Sequence, residues 1–149
     1  MSAKKRKRLK AEKNFDICIS NDSSLQRVPR ALISRAIVLT ATAHGRPRGN
    51  ISIVVLGDRA IRAINKRFLG HDYATDVITF PLDDLELDGE IYLSADTAAR
   101  QAREYGVGRT NEILRLVVHG VLHLVGFDDA TPQQRQRMHE EENLILDQL

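Results

Sequence analysis

The sequence is poor in several residue types on which large classes of proteins depend. Its 149 residues include one cysteine and no tryptophan, and aromatic residues make up only 5% of the chain. A single cysteine, Cys18, excludes an internal disulfide and a cysteine-based metal site. We therefore interpret it as a small apolar residue packed on a strand, and we expect a reducing, cytoplasmic environment. The scarcity of aromatic rings argues against a protein that binds single strands mainly by stacking bases.

Long apolar runs and several catalytic motifs are also missing. No apolar segment approaches the roughly 20 residues that cross a bilayer, and no apolar region follows the basic N-terminus, so we expect neither membrane association nor secretion. The sequence contains no G-x-x-x-x-G-K-[ST] loop, no G-x-G-x-x-G turn and no G-x-S-x-G elbow, so nucleotide-driven enzymes, dinucleotide enzymes and serine hydrolases have no support.

With 42% hydrophobic residues the chain can still bury a core, and its length fits one domain.

Charge is unevenly distributed along the chain. Residues 1–13 hold seven basic side chains and one acid, which leaves 15 basic and 19 acidic side chains in residues 14–149. We interpret 1–13 as a disordered basic tail, either a solubilising leader or an arm that contacts nucleic acid, and 14–149 as a single domain. Residues 27–67 hold nine basic side chains and one acid, whereas residues 83–90 hold five acids and no base. A polyanion would be attracted to the first segment, although solvated helix faces explain the same pattern.

Periodicity predicts an α+β domain, with about four strands in one mixed sheet packed with about five helices. Strands are expected at residues 15–20, 51–56, 77–80 and 90–93, the last two as an antiparallel pair. Helix boundaries are predicted from cap and stop residues, in the order Pro29 and Gly45, Asp58 and Gly70, Ser94 and Gly106, Thr110 and Gly126, and Thr131 at the start of the last helix. The second helix is expected to bury Ile61, Ile64 and Phe68, which recur at i, i+3 and i+7.

The fourth predicted helix is apolar around most of its circumference, so we expect it to be a buried central helix. His119 and His123 interrupt it, and their i, i+4 spacing places both imidazoles on one face. Gly126 permits a sharp turn that brings Asp129 back toward them, which gives two nitrogen ligands, one oxygen ligand and an open fourth position, as in catalytic zinc sites. Taken alone, two such histidines are more often satisfied core or rim residues. Gly120 stands where HExxH metalloproteases have their general-base glutamate, so a peptidase of that type is disfavoured.

Taken together, these segments resemble one known family. HGVLHLVGFDD, at residues 119–129, resembles the signature of the YbeY-type endoribonucleases, and YATDVITF, at residues 73–80, is similar to a second segment of that family. Shorter matches are Ile64 with Asn65, Gly89 with Glu90 and Ile91, and Met138 with Glu141 and Glu142. Two positions depart from the family pattern. Asp129 stands where the family has a third metal-binding histidine, and Phe68 and Leu69 replace a Tyr-Arg pair whose arginine faces the RNA.

The resemblance implies a metal-dependent endoribonuclease domain that cleaves single-stranded RNA during maturation of ribosomal RNA of the small ribosomal subunit. It also implies that His119, His123 and Asp129 are catalytic and hold one divalent ion per chain, with Zn²⁺ expected. Since Leu69 replaces the arginine, we expect the RNA backbone to be held by other side chains, namely Arg59, Arg62, Arg67 and His71. His139 and Asp128 are candidates for the general acid, with orientation of a metal ligand as the simpler role of Asp128.

Two alternatives remain open on the sequence. The protein would be a non-catalytic, ribosome-associated RNA-binding protein if its metal site were structural. It would be a hydrolase of a smaller phosphoester or amide if its basic surface were incidental.

Overall fold

In the computed structural model, the described part of the chain is residues 10–149. A short 3₁₀ helix spans Lys10–Asn14, so regular structure begins slightly before the predicted domain boundary. Most of the predicted basic tail, residues 1–9, lies outside the described residues, and its disorder stays a prediction. Within residues 10–149, none of the helices combines the length and apolar character that a membrane-spanning helix needs.

The sheet has four strands, as predicted. These are β1 (Phe15–Asn21), β2 (Gly49–Leu56), β3 (Val77–Pro81) and β4 (Asp88–Ser94). Their spatial order is β1-β2-β4-β3. β1 and β4 both run parallel to β2, whereas β3 pairs antiparallel with β4. The sheet is therefore mixed, and the predicted antiparallel pair is confirmed.

Five α-helices pack with this sheet, which confirms the predicted α+β architecture. They are α1 (Arg30–Ala43), α2 (Asp58–Leu69), α3 (Ala95–Tyr105), α4 (Arg109–Leu124) and α5 (Pro132–Leu146). Two of the predicted N-caps are confirmed with their hydrogen bonds. Ser94 accepts from the backbone of Thr97, and Thr131 and Gln134 form a reciprocal capping box ahead of Pro132.

Helix α4 is the central helix, as its apolar sequence predicts. It packs against α1, α3 and α5 and against strands β3 and β4. Close approach to the sheet depends on Gly120, because a Cβ at this position would lie 2.8 Å from Cγ2 of Ile91. The fully buried Ile91 would have to move to admit any side chain there. Gly120, which stands where HExxH metalloproteases have their general-base glutamate, therefore has a packing role.

Three local predictions were wrong, because each residue has different neighbours in the fold from those that its local sequence suggests. Asp58 does not cap α2, since Gly57 is the N-cap and the Asp58 carboxylate instead accepts hydrogen bonds from Ser94 and Thr97. Phe68 is 59% exposed, and its ring makes a T-shaped contact with Phe80, with centroids 5.7 Å apart, that leaves most of it uncovered. Cys18 is exposed on the edge strand β1, where alternate side chains point away from the core.

Candidate metal centre

Three ligand atoms converge where α4 ends. Nε2 of His119 lies 3.1 Å from Nε2 of His123, and Oδ2 of Asp129 lies 3.3 Å from the first nitrogen and 3.4 Å from the second. Ligands about 2.0–2.1 Å from a tetrahedral zinc ion are separated by about 3.3 Å. Among residues 10–149, these three are the group of histidine, cysteine or acidic side chains spaced to hold a metal ion. The structure thus brings together all three residues that the sequence proposes as ligands.

A glycine turn returns Asp129 to the histidines. Helix α4 ends at Leu124, and Gly126 follows with φ of +105°, a conformation that L side chains rarely adopt. The backbone N–H of Phe127 then donates to the carbonyl of Leu122, which closes the turn. The chain reverses within five residues and places the carboxylate against the face of α4 that it has just left.

Both imidazoles are oriented by hydrogen bonds on the side away from the cluster. Nδ1–H of His123 donates to the carbonyl of Phe127 at 2.9 Å, and Nδ1–H of His119 donates to the Glu142 carboxylate at 2.9 Å. Because carbonyl and carboxylate oxygens only accept, both Nδ1 atoms carry the proton and both Nε2 lone pairs face Asp129. Three acceptors within 3.4 Å of one another are stable only with a cation among them, which is either a proton on one ring or a metal ion.

Glu142 belongs to a buried ionic cluster between α4 and α5. Its Oε2 accepts from His119, and its Oε1 accepts from Arg115 at 3.1 Å. Burial lowers the pKa of His119, but the hydrogen bond and negative charge of Glu142, helped by Asp129 and Asp76, outweigh this and raise the pKa. Glu142 is 5% exposed, so its charge acts at close range with little screening by solvent.

Two cavities open onto the candidate metal centre, one on each side. The β3-side cavity, of about 480 Å³, lies between α4 and residues 69–79 and includes His71 and Tyr73 in its wall. The α5-side cavity, of about 580 Å³, lies among α3, α4 and α5 and includes Tyr105 and Arg115. Three residues line both cavities, namely Asp76, His119 and Asp129. An extended ligand can therefore occupy both cavities and pass the metal ligands between them.

The residues predicted to hold RNA are divided by the structure. His71 lines the β3-side cavity. Arg59, Arg62 and Arg67 lie on the exposed surface of α2 and are not among the residues that line either cavity at the metal centre. Arg62 donates to Asp72 at 2.8 Å, and the guanidinium of Arg67 lies 5.3 Å from the ring centroid of Phe68. An RNA-binding role for the three arginines stays a prediction about the outer surface.

The two proposed candidates for the general acid also separate. His139 lines the α5-side cavity, with Nδ1 3.4 Å from Arg115. Asp128 lines a different, smaller cavity with Gly126 and Arg137. Among the described residues, the two imidazoles are oriented by Glu142 and by the Phe127 carbonyl, and Asp128 makes no hydrogen bond to either of them.

Sequence reasoning assigned no role to three polar residues that surround the centre. Glu142 follows Met138 by four residues on the buried stripe of α5, and a carboxylate on an apolar stripe is the signal that it has a buried partner. Arg115 precedes His119 by one helical turn on α4. Asp76 lies in the YATDVITF segment, where its carboxylate accepts from the backbone N–H of Val77 and from Gln101.

Glu112 is a buried acid in the wall of the α5-side cavity, and it predicts a pH dependence of stability. Burial raises its pKa, Glu142 and Asp76 add to the rise, and Arg115 opposes it. Its Oε2 is buried without a hydrogen-bond partner. Because the folded-state pKa is raised, the carboxyl is neutral in both states below its unfolded-state pKa, where stability is highest, and this stability is lost as the pH rises through the folded-state pKa.

We therefore expect Glu112→Gln to be close to wild type in stability near pH 4.5 and more stable than wild type at higher pH. Urea unfolding of both proteins between pH 4 and pH 8 measures the difference, with Glu104→Gln on the exposed surface of α3 as the control. If the free energies of unfolding of wild type and Glu112→Gln changed in parallel with pH, ionisation of Glu112 would not destabilise the folded protein.

Comparison with known proteins decides the family. The family model described as Endoribonuclease YbeY matches residues 5–149. The Endoribonuclease YbeY of Chlorobium phaeovibrioides is 39% identical over 127 residues, which cover 85% of this chain and 86% of the relative. The protein of the same name from Chloroherpeton thalassium is 43% identical over 122 residues, which cover 81% of this chain and 86% of the relative. The chain belongs to the endoribonuclease YbeY family.

A solved structure supports the fold of this YbeY-family chain. The solution structure of TM1509 from Thermotoga maritima matches with a TM-score of 0.64 at 25% identity, over 88% of this chain and 87% of that one. The family predicted from HGVLHLVGFDD is thereby confirmed, as is an α+β fold that presents the two histidines on a central helix. The roles of individual residues remain predictions.

The position at which this chain departs from the YbeY motif provides a test of the ligand set. We expect Asp129→His to fold and to keep or raise its affinity for a divalent metal, since the imidazole has a similar reach and is itself a common zinc ligand. Competition against a chelator of known affinity measures the change. Asp128→His is the matched control, since Asp128 lies in a separate cavity and its replacement should leave affinity unchanged. A folded Asp129→His protein that binds no metal would remove residue 129 from the ligand set.

Proposed function

We propose that the protein is a metal-dependent endoribonuclease that cleaves single-stranded RNA, with ribosomal RNA of the small subunit as its substrate and the cytoplasm as its location. One observation carries the proposal: in a chain of the endoribonuclease YbeY family, three ligand atoms with tetrahedral spacing lie at the junction of two cavities. The choice of ribosomal RNA rests on the resemblance of HGVLHLVGFDD and YATDVITF to that family. The exposed cysteine without a disulfide partner supports the location.

The donor set fits zinc as the metal. Two imidazole nitrogens and one carboxylate oxygen are ordinary zinc ligands, and the spacing of these atoms agrees with tetrahedral coordination. When bound, such an ion supplies Lewis-acid polarisation of a phosphoryl oxygen and a lowered pKa for water. Glu142 and the Phe127 carbonyl fix the ring orientations, so the chain presents its ligands in place before substrate arrives.

The residues around the centre suit a polyanionic strand. Arg135 and His139 line the α5-side cavity, and Arg135 also donates to the backbone carbonyls of Asp129 and Ala130. The Arg135 guanidinium can neutralise a phosphate in the α5-side cavity, and the imidazoles of His139 and His71 can form hydrogen bonds with phosphate oxygens in the α5-side and β3-side cavities, respectively.

A purely structural metal is less consistent with this geometry. Structural zinc sites are closed by four protein ligands, whereas catalytic sites keep three ligands and an open position. Among the described residues the cluster has three members, and cavities border it on two sides. The arrangement therefore favours catalysis over a non-catalytic RNA-binding protein.

Incubation of the purified protein with four substrates tests the proposal. We expect cleavage of single-stranded RNA, with little cleavage of double-stranded RNA or single-stranded DNA, and loss of cleavage after chelation. RNA binding without cleavage would favour the non-catalytic alternative. Hydrolysis of a small phosphodiester such as bis-p-nitrophenyl phosphate, with no cleavage of any RNA, would favour the smaller-substrate alternative.

The exposed arginines of α2 predict a measurable salt dependence of RNA binding. Each phosphate contact that is lost should reduce the slope of log affinity against log salt by about 0.7 for a single strand. We expect Arg59→Ala/Arg62→Ala to lower this slope and to leave the thermal midpoint nearly unchanged, because both side chains are exposed and the apolar contact of α2 is made by Ile61.

Two controls separate this surface from other charges. Arg103→Ala removes an exposed arginine from α3 instead, and deletion of residues 1–9 removes most of the basic tail. The hypothesis fails if the tail deletion abolishes the salt dependence while the double variant binds like wild type.

A further inference from the structure

An aromatic pair borders the candidate metal centre in a chain that has few aromatic residues. The rings of His71 and Tyr73 are stacked, with centroids 5.3 Å apart and planes inclined by 10°. Tyr73 is 56% exposed, and it is one of only seven phenylalanine and tyrosine residues in the sequence. Phe68 and Tyr105 are as exposed as Tyr73, so exposure alone does not distinguish this residue, and its stacked partner and its position beside the metal centre carry the argument.

The loop that carries this pair is held in place from helix α2. Gly70 ends the helix with a positive φ, and the backbone N–H of His71 donates to the carbonyl of Asn65 at 3.2 Å. The side chain of Asn65, only 2% exposed, donates to the carbonyl of Tyr73 at 2.9 Å. Asp72, between the two rings in sequence, accepts from Arg62. The backbone that carries both rings is therefore held in place before any ligand binds.

The pair lies in the same cavity as the metal ligands. His71 and Tyr73 line the β3-side cavity together with His119, His123 and Asp129. A strand whose phosphodiester reaches the ligand cluster must place a neighbouring nucleotide within this cavity. The cavity wall therefore contains two flat rings, which can contact a base, and the candidate metal ligands, whose ion can contact a phosphate.

We propose that His71 and Tyr73 form a stacking platform for one unpaired base of the RNA, on a nucleotide next to the phosphodiester at the metal centre. The proposal rests on the proposed function and adds how single strands are selected. A base can stack on the platform only when it has left a duplex, and every base has a face to stack, so the contact selects unpaired RNA with little preference for sequence. One such platform is compatible with a chain in which aromatic residues are otherwise scarce.

Kinetics on the zinc-loaded protein test the platform. We expect Tyr73→Ala to raise KM for a short single-stranded RNA about tenfold with a smaller change in kcat, and Tyr73→Phe to stay within about twofold of wild type, because phenylalanine keeps the ring. An RNA with one abasic nucleotide at the stacked position should show the same loss with wild type and no further loss with Tyr73→Ala. Leu85→Ala removes an apolar side chain that is even more exposed than Tyr73, from the acidic segment at residues 83–90, and should have no effect.

Fluorescence gives a readout that does not depend on cleavage. A 2′-O-methyl phosphorothioate strand, which resists hydrolysis, carries 2-aminopurine at successive positions. We expect wild type, Tyr73→Phe and Leu85→Ala to quench the probe at one position, and Tyr73→Ala to lose that quenching while keeping the wild-type thermal midpoint. If Tyr73→Ala quenches and cleaves like wild type, the platform is wrong and the proposed function stands. If wild type quenches the probe but cleaves no RNA, the platform stands and the proposed function is wrong.

Discussion

His123→Ala is expected to leave the protein folded and without its metal. The substitution removes one of three ligand atoms, and alanine suits the last turn of α4 at least as well as histidine does. Replacement of residues that merely orient ligands lowers metal affinity 10- to 100-fold, so loss of a ligand itself should lower affinity by more than about 100-fold. Metal analysis after gel filtration should find about one equivalent per chain in wild type and close to none in the variant. RNA cleavage should fall to background with it.

His139→Ala is the matched control for this experiment. His139 is an exposed histidine on α5 that lines the α5-side cavity but is not part of the ligand cluster. We expect this variant to retain its metal. If the double variant His119→Ala/His123→Ala retained one equivalent, the metal would bind elsewhere in the protein.

Glu142→Gln is expected to weaken metal binding 10- to 100-fold although Glu142 is not a ligand. The glutamine can still accept a hydrogen bond from His119, but it removes the charge that strengthens this bond and that pairs with Arg115. Because the glutamine has one acceptor oxygen for the two donors His119 and Arg115, one hydrogen bond to a charged group is lost, at a cost of about 1.5–3 kcal/mol in the free energy of unfolding. Chelator competition and urea unfolding measure the two effects independently.

The control for this variant is Glu140→Gln, which changes an exposed carboxyl two residues away on the same helix. It should leave both the metal affinity and the free energy of unfolding close to wild type. A Glu142→Gln protein with wild-type metal affinity would show that the His119 ring is oriented by packing alone, and that the hydrogen bond to α5 is dispensable.

The convergence of the three candidate metal ligands could be predicted from the sequence because it depends on local geometry. His119 and His123 share a helical face whatever lies around the helix, and Gly126 reverses the chain within a few residues. Glu142 could not be assigned a role in the same way. Its contact with His119 spans 23 residues and depends on how α5 packs against α4, which periodicity does not determine.

The fold was predictable at the level of elements and less so at the level of contacts. The strands and helices were predicted from the spacing of apolar residues and from the residues that begin and end helices, and the order of the elements was predicted correctly. Asp58 shows where such reasoning ends. An aspartate before an apolar period is typical of an N-cap, yet Gly57 takes that position and the carboxylate instead joins α2 to the start of α3 through Ser94, Thr97 and Arg100. Similarly, the spacing of Phe68 from Ile61 and Ile64 predicts which face of α2 it lies on. This spacing does not predict whether the rest of the fold covers the ring, which is largely exposed.

The central claim is that one metal ion, held by His119, His123 and Asp129, makes this protein an endoribonuclease. Its most direct test is the rate of cleavage of single-stranded RNA by metal-free protein as Zn²⁺ is added back in steps. We expect activity to be absent at the start, to rise linearly, and to reach its plateau at one equivalent per chain, while His119→Ala stays inactive throughout the titration. Full cleavage by metal-free wild-type protein, or equal recovery by His119→Ala, would contradict the account.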